Sequence, residues 1–263
     1  MAKCLIGFSG FVGATLSRQT SFSHLYGSSS ISESRGLSVE LVCCAAAPAK
    51  KWVANREPEA DRRNIESLMT HLKAIKCRTF VLISTVDVFR RPVCVDESTP
   101  VEEDGLHPYG LHRRMLETFV ERHFSNHLIV RLPGLVGPGL LKNVVFDFLN
   151  DNNLYSIDSR GVLQFYPMVN LWYDIQTALR AGLRLVHLTA EPVSVETVSR
   201  EGFGRSFTQT VAGDPPTYDL RTRHAAIFGG SGSYQYAARE SIQAIRAYAQ
   251  TEPRRLNARM GAS

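Results

Sequence analysis

The sequence predicts a doubly wound, mostly parallel α/β sheet with a small C-terminal lobe. A strand-sized run, Lys3-Cys4-Leu5-Ile6, leads directly into a turn with glycines at positions 7, 10 and 13. Short apolar runs then alternate with stretches of helical periodicity, the pattern of a parallel sheet covered by helices on both faces. The chain has 263 residues, 44% of them hydrophobic and 21% charged, enough to bury one large core.

The first turn explains its own composition. Glycines spaced by three let the backbone turn tightly, approach an anion closely and pack the next helix on the strand, while the helix N-terminus offers free N–H groups. Gly7, Gly10 and Gly13 therefore predict a dinucleotide cradle, with the first helix running from about Phe11 to Thr20. Phe22 to Tyr26 reads as the second strand, ending in Gly27-Ser28-Ser29-Ser30. Val39 to Ala45 is apolar apart from Glu40, as a central strand covered on both faces should be. A helix is expected from about Glu59 to Ile75, with Ile65, Leu68, Met69 and Leu72 on one stripe, and then a strand over Thr79 to Ser84. Arg90 to Leu106, rich in Pro, Asp and Glu, reads as an exposed loop.

Tyr109 to Phe124 predicts an amphipathic helix turning Met115, Leu116, Phe119 and Val120 inward, and Leu128 to Leu132 the next strand. Pro133 to Gly139 reads as a loop and Asn143 to Asn150 as a short helix. Trp172 to Ala181 is read as a helix returning to a last strand, Leu185 to Leu188. Residues 1–190 form the predicted nucleotide-binding domain, with about 140–165 contributing to a substrate lobe that continues through 191–263. There a Gly/Ser-rich turn at Gly229 to Ser233 precedes a helix from Ala238 to about Ala249 and a polar, frayed end from Thr251.

Composition excludes several classes. No apolar run reaches the length of a membrane span, and the start lacks the basic and apolar regions of a secretory signal, so a cytoplasmic protein is expected. Cys4, Cys43, Cys44, Cys77 and Cys94 are odd in number and lack C-x-x-C spacing, so they read as small buried hydrophobes, with no metal site. The net charge of +5 comes from scattered residues without a Lys/Arg run, which favours an anionic small molecule over nucleic acid.

Five segments, in order, resemble the extended short-chain dehydrogenase/reductase superfamily, in its epimerase, dehydratase and sugar-nucleotide reductase branch. The glycine turn is the first, and Ala45-Ala46-Ala47-Pro48 is similar to the family's Ala-rich turn beside the cofactor. Ser84-Thr85-Val86-Asp87-Val88-Phe89 is similar to its Ser-Ser/Thr-x-x-Val-Tyr segment, and Tyr109-Gly-Leu-His-Arg113 lies where the family has Tyr-x-x-x-Lys. Arg131-Leu-Pro133-Gly-Leu-Val-Gly-Pro-Gly139 resembles the loop flanking nicotinamide and substrate. The resemblance implies a Rossmann-type sheet, cofactor contacts from Gly7, Gly10, Gly13, Arg18, Ser28, Ala45, Ala46 and Pro133, and catalytic roles for Thr85, Tyr109 and Arg113. It also implies a homodimer through the Tyr-bearing helix and its neighbour. Two departures stand out: a βα unit is missing between the second strand and Val39, and the catalytic lysine is Arg113.

The chemistry follows from residue types. A phenol titrates near pH 10 and needs a nearby cation to favour the phenolate. Arg113, one helical turn after Tyr109 on the same face, is expected to lower the Tyr109 pKa and hold cofactor ribose hydroxyls, although a guanidinium does not pass on a proton. His112 reads either as a substitute relay or, more often for such a residue, as a polar helix position. Thr85 is expected to share the substrate oxygen with Tyr109. Asp87 reads as a substrate-side acid or a loop cap, and Asn143 as a substrate contact. Lys50 and Lys51 face phosphates or solvent, and Arg221 and Arg223 bind an anion unless Asp219 pairs with one of them.

The second strand ends without the Asp or Glu that binds a ribose 2′-OH. Ser28 to Ser30, with Arg18 and Arg35, lean to NADP over NAD. Two functions remain open: an NAD(P)-dependent oxidoreductase or epimerase acting on a carbonyl or hydroxyl carbon of a small molecule such as a nucleotide-activated sugar, or a dinucleotide-binding sensor acting on a protein partner. Thr85 and Tyr109 favour the enzyme and Arg113 the sensor.

Overall fold

The computed structural model describes residues 2–255. In chain order the first half holds β1 (Lys3–Ile6), α1 (Phe11–Gln19), β2 (His24–Tyr26), β3 (Ser38–Cys44), α2 (Lys51–Arg56), α3 (Pro58–Leu72), β4 (Lys76–Thr85), β5 (Val93–Val95), α4 (Pro108–His123) and β6 (His127–Leu132). Then come β7 (Leu135–Val136), α5 (Val144–Asn150), β8 (Val162–Leu163), β9 (Tyr166–Pro167), α6 (Leu171–Arg180), β10 (Leu185–His187), β11 (Val193–Ser194), α7 (Val195–Thr197), β12 (Asp219–Leu220) and α8 (Ala238–Thr251).

Six strands form one parallel sheet in the order β10-β6-β4-β3-β1-β2. The chain leaves β1 for β2 on one side and returns as β3 on the other, so the order reverses at β1. In such sheets the ligand crevice is expected at that switch point, at the carboxyl ends of β1 and β3, where Ala45 N–H donates to Ile6 O at 2.8 Å. No helix separates β2 from β3, only a 3₁₀ turn at Ile31–Ser34, and β2 is the sheet's edge. The βα unit that the sequence lacks is missing at this point.

Helices cover both faces. Ile65, Leu68 and Leu72 of α3 and Leu116 and Val120 of α4 bury one face, and Leu16 of α1 with Leu171, Ile175 and Ala178 of α6 bury the other. Met115 and Phe119 are only partly buried. A further core joins Val145 and Phe148 of α5 to Val195, Val198, Ile242 and Ile245. Among the described residues no helix is long and apolar enough to cross a membrane.

The differences from expectation are short or paired elements. The segment after the Ala-rich turn forms α2, which ends before Pro58 opens α3. The loop from Arg90 to Leu106 contains β5, paired in parallel with β12 across more than a hundred residues, and the loop from Pro133 contains β7, paired with β9. Strands of two or three residues carry too little alternation to be read from sequence. The polar end from Thr251 begins at the close of α8, and residues 256–263 lie outside the described residues.

Candidate active site

The glycine turn is built for close packing. Gly7 has φ +88°, and a Cβ there would lie 2.5 Å from Ala45 O; a Cβ on Gly13 would lie 2.0 Å from Gly7 O. These two positions admit only glycine because β3, the turn and α1 converge on them. Gly10 differs, since its Cβ would meet only Gly7 O at 3.6 Å, an ordinary contact. Among the described residues, its chain neighbours aside, nothing else lies within 4 Å of that position. No side chain caps the N-terminus of α1, whose N–H groups and dipole are available to an anion.

Around this cradle, Ala45 and Ala46 are half-buried at the end of β3, Ser28 is exposed just past β2, and Pro133 is buried past β6. Neither of the two arginines expected beside Ser28 is placed there by a contact. Arg18 donates to Pro138 O at 3.0 Å and to Thr15. Arg35 precedes β3 at the amino end of the strands, where the neighbouring Gly36 N–H donates to Ala74 O at 3.0 Å. The short link from β2 to β3 carries Arg35 away from the ligand edge.

Thr85 closes β4, and its Oγ1 accepts the Asp87 N–H at 3.1 Å. Tyr109 opens α4. His107 caps that helix by accepting the Gly110 N–H on Nδ1 at 3.0 Å, Pro108 occupies the first turn, and Asn55 of α2 accepts the Tyr109 N–H at 3.0 Å. Gly110 is the hinge of this arrangement: a Cβ there would stand 2.1 Å from Asp87 O. Its absence lets α4 close on the turn after β4 and brings Tyr109 beside Thr85. The phenol is 8% exposed. Burial pushes its pKa up, and Asp87 adds to this; Arg113, a hydrogen bond with Thr85, and Lys51 oppose it without cancelling it.

Arg113 is buried, with its guanidinium 4.0 Å from the centroid of the Tyr109 ring. Its N–H groups are largely committed: Asp61 is held by both terminal nitrogens, one bond at 3.0 Å, and Pro48 O and Tyr109 O accept the others. Nε is buried without a partner. His112 also binds Asp61, Nδ1 to Oδ2 at 2.8 Å. Its ring is therefore tied to the carboxylate beneath Arg113.

A second cluster adjoins the first. Asp87 Oδ1 accepts from Lys51 Nζ at 2.7 Å and from Tyr218 OH at 3.4 Å. Burial would lower the Lys51 pKa, but Asp87 and Tyr218 outweigh it, so the ammonium is favoured. Lys142 donates to Ala49 O, and its pKa is lowered by burial first and then by Arg113 and Lys50. Asn143 is fully engaged with protein: at φ +101° its Oδ1 accepts from Val145 and Phe146 N–H to start α5, and Nδ2 donates to Leu135 O at 2.8 Å. Arg221 pairs with Asp219 at 2.7 Å. Sequence reasoning missed Asp61, Asn55, Gly110 and the Tyr218–Asp87 contact; only Gly110 left a signal, a glycine in the first turn of a strongly patterned helix.

No protein-family model and no curated protein matches the sequence. Solved structures match along nearly the whole chain. A dTDP-4-dehydrorhamnose reductase from Clostridium acetobutylicum is 16% identical, with TM-score 0.70 over 95% of this chain and 99% of that one. A UDP-glucose 4-epimerase from Thermotoga maritima, solved with UDP-glucose, is 14% identical, with TM-score 0.71 over the same shares. A dTDP-4-dehydrorhamnose reductase from Bacillus anthracis, in complex with NADP, is 15% identical, with TM-score 0.68 over 94% and 98%. The chain shares the fold of these reductases and epimerases. This chain sets the glycine turn, Thr85 and Tyr109 on one carboxyl edge of the sheet, with Arg113 locked to Asp61.

Proposed function

We propose that the chain is an NAD(P)-dependent oxidoreductase or epimerase acting on a carbonyl or hydroxyl carbon, with a nucleotide-activated sugar as the substrate class. The observation that carries this reading is the meeting of Thr85 and Tyr109 on the sheet edge that also bears the Gly7-Gly10-Gly13 cradle. The residues present fit a dinucleotide, since the open face of Gly10 and the uncapped start of α1 suit a pyrophosphate. Ala45, Ala46 and Pro133 would line the rest of the crevice and Ser28 its ribose end. Ser28 to Ser30, without an acidic residue, tolerate a 2′-phosphate, so NADP is the preferred form.

When bound, the nicotinamide supplies or accepts hydride. The protein's part is to place and protonate the substrate oxygen. Thr85 donates one hydrogen bond to that oxygen and Tyr109 a second, and the phenol gives up its proton as charge develops there. A raised phenol pKa keeps Tyr109 protonated at neutral pH, the state needed for the reductive direction. The same reading includes a cytoplasmic protein and a homodimer across α3 and α4, whose open groove is lined by Met69, Met115 and Phe119.

Titration of the protein with NADPH, NADH and their oxidised forms at one ionic strength tests the reading. Selective binding of the phosphorylated forms is expected, followed by NADPH-dependent reduction of a 4-keto sugar nucleotide. Absence of binding to all four forms would remove the dinucleotide site and the proposed reaction together.

A further inference from the structure

We propose that Phe8, between Gly7 and Ser9 of the glycine turn, is the platform on which the adenine base of the cofactor stacks, at the end of the site where the sheet stops at β2. The inference deepens the proposed reaction and rests on it, since it supplies the contact for the adenosine half of the dinucleotide. Three observations place the ring there. The turn is tied to the close of β2, because the Gly7 N–H donates to Tyr26 O at 2.7 Å. One edge of the Phe8 ring stands against the next residue, since a Cβ on Gly27 would meet Cε1 at 3.4 Å and Cδ1 at 4.0 Å. Phe8 itself stays 36% exposed, whereas Phe11 and Val12, in the first turn of α1, pack against the core. In dinucleotide-binding sheets the close of this strand, about twenty residues past the turn, faces the adenosine ribose. Phe8 therefore holds an open aromatic side chain at the adenosine end.

The other groups at this end are small and uncharged. Ser30 Oγ accepts the Gly27 N–H at 3.0 Å, and Ser28 and Ser29 are exposed. No carboxylate stands at the close of β2 to take a ribose 2′-OH, and no contact places Arg18 or Arg35 beside Ser28. Because β2 is the edge of the sheet and only a 3₁₀ turn joins it to β3, no further strand brings a side chain over the base. Serine hydroxyls can bond a ribose or its phosphate, but a purine also needs apolar area against its face. An exposed phenyl ring supplies that area, and stacking removes both faces from water. Glycine at position 27 keeps the ring edge free of a competing side chain. The site is thus divided: Gly10 and the uncapped start of α1 suit the pyrophosphate, and Phe8 suits the base.

The test is a calorimetric titration of the full chain with three ligands: NADPH, 2′-phosphoadenosine diphosphoribose, which lacks the nicotinamide, and reduced nicotinamide mononucleotide, which lacks the adenosine. Phe8→Ala and Phe8→Leu are expected to weaken the first two about tenfold, the loss of one base–aromatic stack, and to leave the mononucleotide unchanged. Phe8→Trp keeps the affinity, and the indole emission it adds is quenched by the nicotinamide-free ligand. Unchanged or tighter binding of the adenosine ligands by Phe8→Ala overturns the proposal, as does full affinity in Phe8→Leu or an equal loss for all three ligands. Every readout is binding, so the two readings fail separately. A protein that holds adenosine through Phe8 but reduces no substrate refutes the proposed reaction alone; wild type and Phe8→Ala binding NADPH alike refute the platform alone; a wild type that binds neither adenosine ligand refutes both.

Discussion

Arg113 lies over the ring of Tyr109, 4.0 Å from guanidinium carbon to ring centroid, while Asp61 binds both of its terminal nitrogens. The guanidinium meets the π-cloud of the ring, and its N–H groups donate to Asp61 and Pro48. Arg113 thus supports the floor on which Tyr109 rests. A lysine at this position has one ammonium where the arginine has a planar fork, and these two side chains are not interchangeable at a bidentate site.

Arg113→Lys is expected to destabilise the protein by about 1–3 kcal/mol, because Asp61 keeps its charge but loses one of its two bonds to the guanidinium. Urea unfolding of Arg113→Lys, Asp61→Asn and the double variant measures the coupling. Additive losses would show that the two side chains do not act as a pair.

Tyr109→Phe is expected to lower kcat by about 10²- to 10⁴-fold, the range typical of a lost general acid, with dinucleotide affinity nearly unchanged. Steady-state rates and a cofactor titration on the same preparation separate the two. Undiminished turnover in this variant assigns the proton to another group.

Gly110→Ala places a methyl where only 2.1 Å separates it from the Asp87 carbonyl oxygen. Backbone cannot yield as a side-chain tip does, so α4 must back away from the end of β4. The expected cost is about 1–3 kcal/mol of stability, with a loss of turnover larger than that loss of folding explains. Circular dichroism melting beside activity measurements distinguishes this from simple unfolding.

The legible part of the molecule is the part written in local pattern. The glycine turn, the apolar strand at Val39 to Cys44 and the stripe of Ile65, Leu68 and Leu72 each carry a local signal, and the parallel sheet follows from strands alternating with helices. Thr85 and Tyr109 were singled out through the resemblance of their segments, and the fold sets them at the end of β4 and the start of α4. Asp61 was not, because a carboxylate in the first turn of α3 reads as a favourable charge at a helix N-terminus, and nothing local tells that it faces Arg113 on another helix. The same holds for Tyr218, brought to Asp87 from the other end of the chain. Arg18 and Arg35 show the converse: both lie near Ser28 in the sequence, yet the missing βα unit and the loop at Pro138 draw them elsewhere.

His187 at the end of β10 links pH to the attachment of the C-terminal segment. It is fully buried, its Nδ1 lies 2.9 Å from Arg221 O and its Nε2 lies 3.3 Å from Arg131 Nη1. These partners fit the neutral ring, with Nδ1–H donating to the carbonyl and Nε2 accepting from the guanidinium; a second proton would set two donors against each other. Burial first, and then Arg131 against the opposing pull of Glu97, brings its pKa down to about 4. The unfolded chain therefore binds a proton in the window from about pH 6.5 to 4 that the folded chain does not, and stability falls as pH falls through it, by on the order of 3 kcal/mol over the whole window. Glu117, held below its ordinary range chiefly by Arg131 against burial, adds a loss of the same sign below about pH 4.5, so the test belongs above pH 5. Urea midpoints measured between pH 7 and 5 are expected to drop in the wild type. In His187→Gln, which keeps a donor and an acceptor but does not titrate, the slope should flatten to what His107, also lowered by burial, leaves against Asp147 and Asp174, whose carboxyl pKa values burial raises and which act with the opposite sign. An equal slope in both proteins would place the titrating group elsewhere and release His187 from this role.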